Sequence, residues 1–568
     1  MFLRLILFLT FWTISGCQLQ NPEESIDTIQ PNEVENVVKN GMVVSAHPLA
    51  SQVGLDILKT GGNAVDAAIA IQFALAVVYP SAGNLGGGGF MVYRKSNGKS
   101  FALDFREQAP AGAERDMFLD KNGNVIKGKS LNTRLAVGVP GTVDGIFQAY
   151  ERFASLPFEQ LINPAIELAR NGFQLTEKES KKLEFVKEIL KERNGDNPYV
   201  KEKSWKAGDT LKLQELRQTL EWIRKNKRAG FYAGETADNI IKEMNSGNGI
   251  ISLSDLKNYS SVWRKPVTGS YKNFRIVSMC PPSSGGIALI QLLKMVENFP
   301  IAAWGWNDTK TIHLMTEAER RVYADRAKHL GDADFYGVPV EQLLDSGYIA
   351  SRMKDFDPNK ATPSDDVEAG EPVFESEETT HFSVVDRFGN AVAVTTTLNA
   401  SFGSKILVKG SGFFLNNEMD DFSVKPGVPN LYGLVGAEAN SIEAGKRMLS
   451  SMTPTIIEKD GKLFMALGTP GGSTIITSVF QTFLNVVEHE MSIQEAVNEK
   501  RVHHQWLPDK IFYEENALHS KVMESLEAYG HSVQKRSSIG RVDAILVHPD
   551  GSLEGGADTR GDDSAMGF

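Results

Sequence analysis

Near residue 379 the chain changes character, with helical periodicity before it and strand alternation after it. The boundary is Glu378-Thr379-Thr380-His381-Phe382-Ser383-Val384-Val385-Asp386, where a polar, acidic and aperiodic run over residues 353–378 meets an alternating one. Alternation of period two predicts a strand. A second alternating run over 391–398 follows Arg387-Phe388-Gly389-Asn390, which predicts a hairpin. A three-residue loop, or a bulge, sets Thr397 opposite Thr379; a two- or four-residue loop sets it opposite Thr380. An internal threonine is a poor nucleophile because its hydroxyl has no base of its own. If the bond before Thr379 is broken, the freed α-amino group (pKa about 8) stands beside the hydroxyl and can serve as that base.

Charge narrows the partners. Sixty Lys+Arg against 71 Asp+Glu give −11, and no long basic run occurs, which excludes nucleic acid. Residues 1–16 carry one positive charge, Arg4, and an apolar run too short to span a bilayer as a mature helix, so they read as a signal peptide. Ile14-Ser15-Gly16-Cys17 is similar to a bacterial lipobox, which makes Cys17 the expected lipidated N-terminus of the mature protein. Gln18 after it favours delivery to the outer membrane, on the periplasmic face. Residues 17–40 are polar and suit a lipidated flexible tether. The one other cysteine, Cys280, leaves no intrachain disulfide and is expected to pack as a small hydrophobe.

The folded body is expected from about Gly41, with a strand over 42–46 and helices over 49–60 and 63–78, the second alanine-rich and without a polar face. The glycine run over 83–89 lacks a following Lys-Ser/Thr pair and enters a strand, so close backbone packing explains it better than phosphate binding. A strand over 100–105 delivers Arg106, whose planar fork suits a carboxylate, although local sequence alone favours a surface salt bridge. Helices follow over 142–153, 157–171, 176–193, 211–227, 236–246 and 252–259. A strand over 271–279 and helices over 287–299 and 312–327 complete this part. Ser283 and Ser284 are expected to cap the helix after them. His503 and His504 are adjacent, and neighbours on a strand point oppositely; with no acidic or cysteine partner at ligand spacing, no metal site is expected. Neither an internal repeat nor a linker between autonomous domains is visible after residue 40.

Seven motifs in order give the chain a resemblance to the γ-glutamyltranspeptidases over residues 41–568. They are Gly83-Asn84-Leu85-Gly86-Gly87-Gly88-Gly89, Leu103-Asp104-Phe105-Arg106-Glu107, Pro282-Ser283-Ser284-Gly285-Gly286, Thr379 to Asp386, Leu415-Asn416-Asn417-Glu418-Met419-Asp420-Asp421-Phe422, Leu449-Ser450-Ser451-Met452-Thr453-Pro454 and Gly468-Thr469-Pro470-Gly471-Gly472. The resemblance implies an α+β N-terminal-nucleophile hydrolase, a four-layer αββα sandwich with two stacked antiparallel sheets. It also implies a precursor that cuts itself between Glu378 and Thr379 into a large piece (41–378 beyond the tether) and a small piece (379–568), forming one interleaved unit. Thr379 is then the nucleophile, with Thr397 steadying its hydroxyl and the Gly471 and Gly472 N–H groups facing the oxyanion. Arg106, Ser450 and Ser451 are expected at the α-carboxylate of a γ-glutamyl group, and Asn399, Glu418 and Asp421 at its α-ammonium. Tyr432 takes the position of an aromatic gate in a lid over the site. The implied donor is glutathione or a similar amide and the acceptor water, an amino acid or a peptide, without a cofactor. A glutaryl-type cephalosporin acylase of the same fold is the alternative enzyme, and a non-catalytic surface lipoprotein the alternative without chemistry.

Overall fold

Two seven-stranded antiparallel sheets carry the architecture. Edge to edge, the first runs Ser564–Gly567, Gly41–Ser45, Thr379–Asp386, Ala391–Thr397, Gly88–Arg94, Ser100–Asp104 and Val262–Arg264. The second runs Val37–Val38, Leu553–Ala557, Asp543–Val547, Lys462–Gly468, Thr455–Lys459, Phe274–Ser278 and Val267–Tyr271. This computed structural model describes residues 37–367 and 379–568. The expected signal peptide, Cys17, most of the tether and Glu378 lie outside the described residues.

Alternation along each strand decides the layering. Phe382, Val384, Val394, Met91 and Leu103 share a cluster with the helices Pro48–Lys59 and Ala64–Val78. Their neighbours Val385, Ala393, Val92 and Met42 instead join Ile456, Met465, Leu467 and Ala544 of the other sheet. Every residue of Ala64–Val78 is buried, as its lack of a polar face predicts. The helices Gly285–Val296 and Ile475–Glu488 cover the far face of the second sheet, and Thr309–His329 packs against the former. The order is therefore helix, sheet, sheet, helix, the αββα class expected.

The hairpin register is resolved by its loop. Asp386 N–H donates to Asn390 O, so the loop is the three residues Arg387, Phe388 and Gly389, the last at φ +80°. The Asp386 carboxylate accepts from the Phe388 and Asn390 N–H groups and fixes the turn. Pairing then runs without a bulge from Val385 opposite Ala391 to Thr379 opposite Thr397.

Three expectations change. Val37 and Val38, assigned to the tether, pair with Glu554 and Leu553, so the sheet starts ahead of Gly41. The described part of the acidic segment is mostly exposed but is pinned at Ser364, whose N–H donates to Asp509 and whose hydroxyl donates to Trp506 O. Ser284 makes no side-chain cap to its helix. Its hydroxyl donates to Ser450 O and that of Ser283 to Met452 O, so this pair braces the Ser450–Ser451 stretch. Cys280 is buried as expected, which pushes its thiol up to about 12.

Candidate active site

The side-chain alternation that layers the fold also separates the two threonines. Thr380 shares the helix-facing side with Phe382 and Val384; its hydroxyl is buried and has no hydrogen-bond partner. Thr379, His381 and Ser383 face the second sheet, where the His381 ring packs on Gly468 and the Ser383 hydroxyl donates to Asp543 O. Only Thr379 of the pair lines a cavity at the sheet ends, together with Thr397, Asn399, Asp421, Tyr432, Ser450, Ser451 and Gly472.

The Thr379 hydroxyl lies 3.5 Å from that of Thr397, which accepts from the Asn399 N–H at 2.8 Å. Asn84 donates to Thr397 O at 2.9 Å, and a Cβ on Gly87 would stand 2.0 Å from the same oxygen. The glycine run is therefore there for close approach: the loop lies flat against the Thr397 backbone. His381, the imidazole nearest in sequence, is engaged through both ring nitrogens by Thr395 and Ser383, and burial lowers its pKa to about 3. It stays neutral and occupied, and is not a base for Thr379.

Gly471 and Gly472 connect the strand Lys462–Gly468 to the helix Ile475–Glu488. Both have positive φ, +141° and +53°, and neither N–H has an acceptor among the described residues. Gly472 lines the cavity and Gly471 does not. Free N–H groups ahead of a helix present partial positive charge to that space.

The expected carboxylate clamp is arranged differently from the sequence reading. Arg106 is fully buried, ion-pairs with Glu418, and reaches Asp421 at 2.5 Å. It is thus engaged by the two acids expected for the ammonium, and of the three only Asp421 lines the cavity. Burial raises the Glu107, Glu418 and Asp421 carboxyls against the pull of Arg106, Glu107 to about 7. One guanidinium is shared by three carboxylates, so the cluster favours a further cation.

The stretch expected as a lid is tied to the site at three points. Asn430 donates to Asp421 at 3.0 Å, the Leu431 N–H to Asp420 at 2.8 Å, and the Tyr432 hydroxyl to Asn399 O at 2.6 Å. The Tyr432 ring lies on Gly472, where a Cβ would be 2.3 Å from it. Four further cavity residues escaped sequence reasoning: Arg326, Leu434, Met452 and Ile475. Arg326 sits in a helix whose Glu317, Glu319, Arg320 and Arg321 are also buried, and charges on every face of one helix were the available signal.

His503 bonds to Thr477 and Gln505, and His504 to Asp509 and the Trp506 N–H. Elsewhere His313, Glu317 and His531 bring ligand atoms within 4.8 Å of one another. There the two imidazoles bond to each other at 2.7 Å and Glu317 is paired with Arg321, so these groups satisfy one another.

The sequence profile described as gamma-glutamyltranspeptidase matches residues 50–568. The glutathione hydrolase proenzyme of Escherichia coli (strain K12) is 46% identical over 535 residues, covering 93% of this chain and 92% of that one. Among solved structures, a cephalosporin acylase from Bacillus halodurans superimposes with a TM-score of 0.81 at 25% identity, over 97% of this chain and 99% of that one. A gamma-glutamyltranspeptidase chain from Helicobacter pylori gives 0.57 at 43% identity, over 58% of this chain and 96% of that one.

Proposed function

Because this chain belongs to the gamma-glutamyltranspeptidase family, we propose that it cuts itself between Glu378 and Thr379 and then uses the Thr379 hydroxyl to take the γ-glutamyl group from glutathione or similar amides. The group passes to water, an amino acid or a peptide. The observation that carries this reading is the Thr379 hydroxyl facing that of Thr397 at 3.5 Å, in a cavity that also holds Gly472, Asp421, Ser450 and Ser451.

In the precursor, Thr379 Oγ attacks the Glu378 carbonyl carbon, the C–N bond breaks, and water opens the resulting ester. The freed α-amino group then takes the hydroxyl proton as Oγ attacks the γ-glutamyl amide carbon, and returns it to the departing amine. Thr397, held by the Asn399 N–H, keeps Oγ pointed into the cavity. The Gly471 and Gly472 N–H groups meet the oxyanion, where each donor is worth about 10²–10³ in rate. Asp421, Glu418 and Asn399 receive the α-ammonium, and Arg106, with the Ser450 and Ser451 hydroxyls, receives the α-carboxylate. Tyr432 and its tethers close over a small substrate. The acylase reading fits the fold equally, but a glutaryl group has no ammonium to answer Glu418 and Asp421.

Replacing Asp421 with Asn tests that distinction. Losing a charge-assisted contact costs about 1.5–3 kcal/mol, so kcat/KM for a γ-glutamyl anilide is expected to fall about 10- to 100-fold while a glutaryl anilide is little affected. Equal losses on both would favour the acylase reading.

Export belongs to the same proposal: residues 1–16 are removed, Cys17 is lipidated, and the tether holds the enzyme at the membrane, on the periplasmic face. Among the described residues no helix is long and apolar enough to cross a membrane. More than one acyl chain is needed for stable anchoring. Mass spectrometry of the mature protein tests processing and lipid together. It should find one polypeptide beginning at Thr379 and another beginning at an acylated Cys17; an intact, inactive chain sinks the processing claim, and an unmodified Cys17 sinks the anchor.

A further inference from the structure

The cavity beside Thr379 occupies one end of the two sheets, and hairpin turns crowd the other. Along Thr379–Asp386 the chain runs from the first end to the second, roughly 23 Å at about 3.3 Å per residue. Three of the turns meet there. The Ser96 N–H donates to Asn390 Oδ1 at 2.9 Å and Arg94 Nη2 donates to Gly461 O at 3.1 Å, so the tips 95–99, 387–389 and 459–462 form one surface.

That surface carries one sign of charge. Lys95 and Lys99 stand on the first tip, Arg387 on the second, and Lys459 and Lys462 on the third, against the single acid Asp460. Among the described residues none of these five cations has a carboxylate within ion-pairing distance; Glu458, next to Lys459, is buried and already paired with Arg94 and Arg275. Lys59 extends the patch, since its ammonium lies over the Phe568 ring and the Phe568 carbonyl accepts from the Asn40 N–H. A positive cluster on a chain of net charge −11 creates a strong local field. Amid these charges Phe388 is 54% exposed, with the Arg387 guanidinium 5.2 Å from its ring. The tether also joins the folded body here: Val38 lies opposite Leu553 beside the turn 548–552, and Lys39 and Asn40 lead to Gly41, opposite Asp386.

We propose that this end faces a membrane: the basic tips meet the anionic phospholipid headgroups of the membrane that holds the tether, and Phe388 enters the interface as aromatic residues do at that depth. The Thr379 cavity is then held at the end away from the lipid, open to soluble donors. The choice of occupant rests on the anchoring reading; the charge pattern does not.

The test uses the chain from residue 17 with Cys17→Ser, so that no acyl chain contributes. It should sediment with phosphatidylcholine vesicles that contain one third phosphatidylglycerol, but not with phosphatidylcholine alone, and salt raised from about 0.1 M to about 1 M should release it. Replacing Arg387 and Lys459 together with Gln should lower that binding about 10- to 30-fold, while processing and turnover of a γ-glutamyl anilide in solution stay within about 2-fold of the parent. Orientation is read separately. With Cys17 replaced and Cys280 buried, an environment-sensitive dye on Phe388→Cys labels one site, and its emission should shift to the blue on the anionic vesicles. The control is Phe185→Cys. Phe185 is 90% exposed on the helix Glu177–Asn194, whose Lys182 lies over Tyr79, where the helix Ala64–Val78 has run from the Asp386 end to the other; a dye there should not shift. Equal binding to both vesicles, undiminished binding of the double variant, or a shift at 185 and not at 388 would overturn the inference. So would capture by soluble polyglutamate without sedimentation on vesicles, which assigns the patch to an acidic polymer. An unmodified Cys17 in the mature protein sinks the anchor instead and leaves the vesicle result standing, so the two failures are told apart.

Discussion

Thr379→Ala is expected to run as a single full-length band on denaturing electrophoresis, where the parent gives two, and to release nothing measurable from a γ-glutamyl anilide. Both losses follow from the proposal that one oxygen atom attacks the chain's own carbonyl first and the donor's afterwards. The substitution is structurally mild: Thr379 is 4% exposed, opens its strand, and keeps its backbone pairing to Thr397 whatever its side chain. Thr379→Ser separates chemistry from folding, because it restores a hydroxyl without the methyl; processing and turnover should both return, at reduced rate. Cleavage or turnover persisting in the alanine variant would move the nucleophile elsewhere, and Thr380, buried on the helix side, is poorly placed to take over.

Gly472→Ala is expected to lower kcat about 10²- to 10³-fold. Two costs combine. At φ +53° an L-residue pays roughly 1–2 kcal/mol, and the new Cβ would fall 2.3 Å from the Tyr432 ring, which must swing away from its place over the cavity. The loop that offers the oxyanion donor shifts with either adjustment. Pairing the change with Tyr432→Ala removes the clash but not the backbone cost, so partial recovery of kcat is expected. If Gly472→Ala alone stays within about 3-fold of the parent, the oxyanion assignment is wrong.

Much of this site could be read in the sequence because its parts are local. The change of periodicity at Thr379, the strand ending before Arg106 and the glycines ahead of a helix are each visible within ten residues. The register of the Thr379 hairpin was not, since it turns on whether Asp386 closes a three-residue loop with its own side chain. The pairing of Arg106 was not legible for a related reason: the motifs bring a cation and two acids together, but spacing does not reveal that they ion-pair with one another. Arg326 was missed entirely. Its helix carries charge on every face, which signals that some of it is carried inward, but only the packing near Ser284 and Ser451 reveals which residue reaches the cavity. Ser283 does accept from the Gly285 N–H that opens the helix, but Ser284 does not cap, because a serine ahead of a helix reads as a cap until another segment is found to need its hydroxyl.

The place of the Thr379 strand inside its sheet gives the cut molecule an unusual history. It lies between Gly41–Ser45 and Ala391–Thr397, and the latter neighbours Gly88–Arg94. After the proposed scission at residue 378 the two polypeptides would alternate through one sheet and meet again in the second, where Thr455–Lys459 pairs with Phe274–Ser278. Neither can leave without tearing open both cores. The precursor folds as a single tethered chain, whereas a processed molecule that opens must find its other half by diffusion. Scission therefore works as a ratchet: it converts a reversible folding equilibrium into a lifetime, set by how slowly the sheets come apart. Heating the precursor variant and the processed enzyme to the same extent, then diluting each, should show recovery that depends on concentration only for the second.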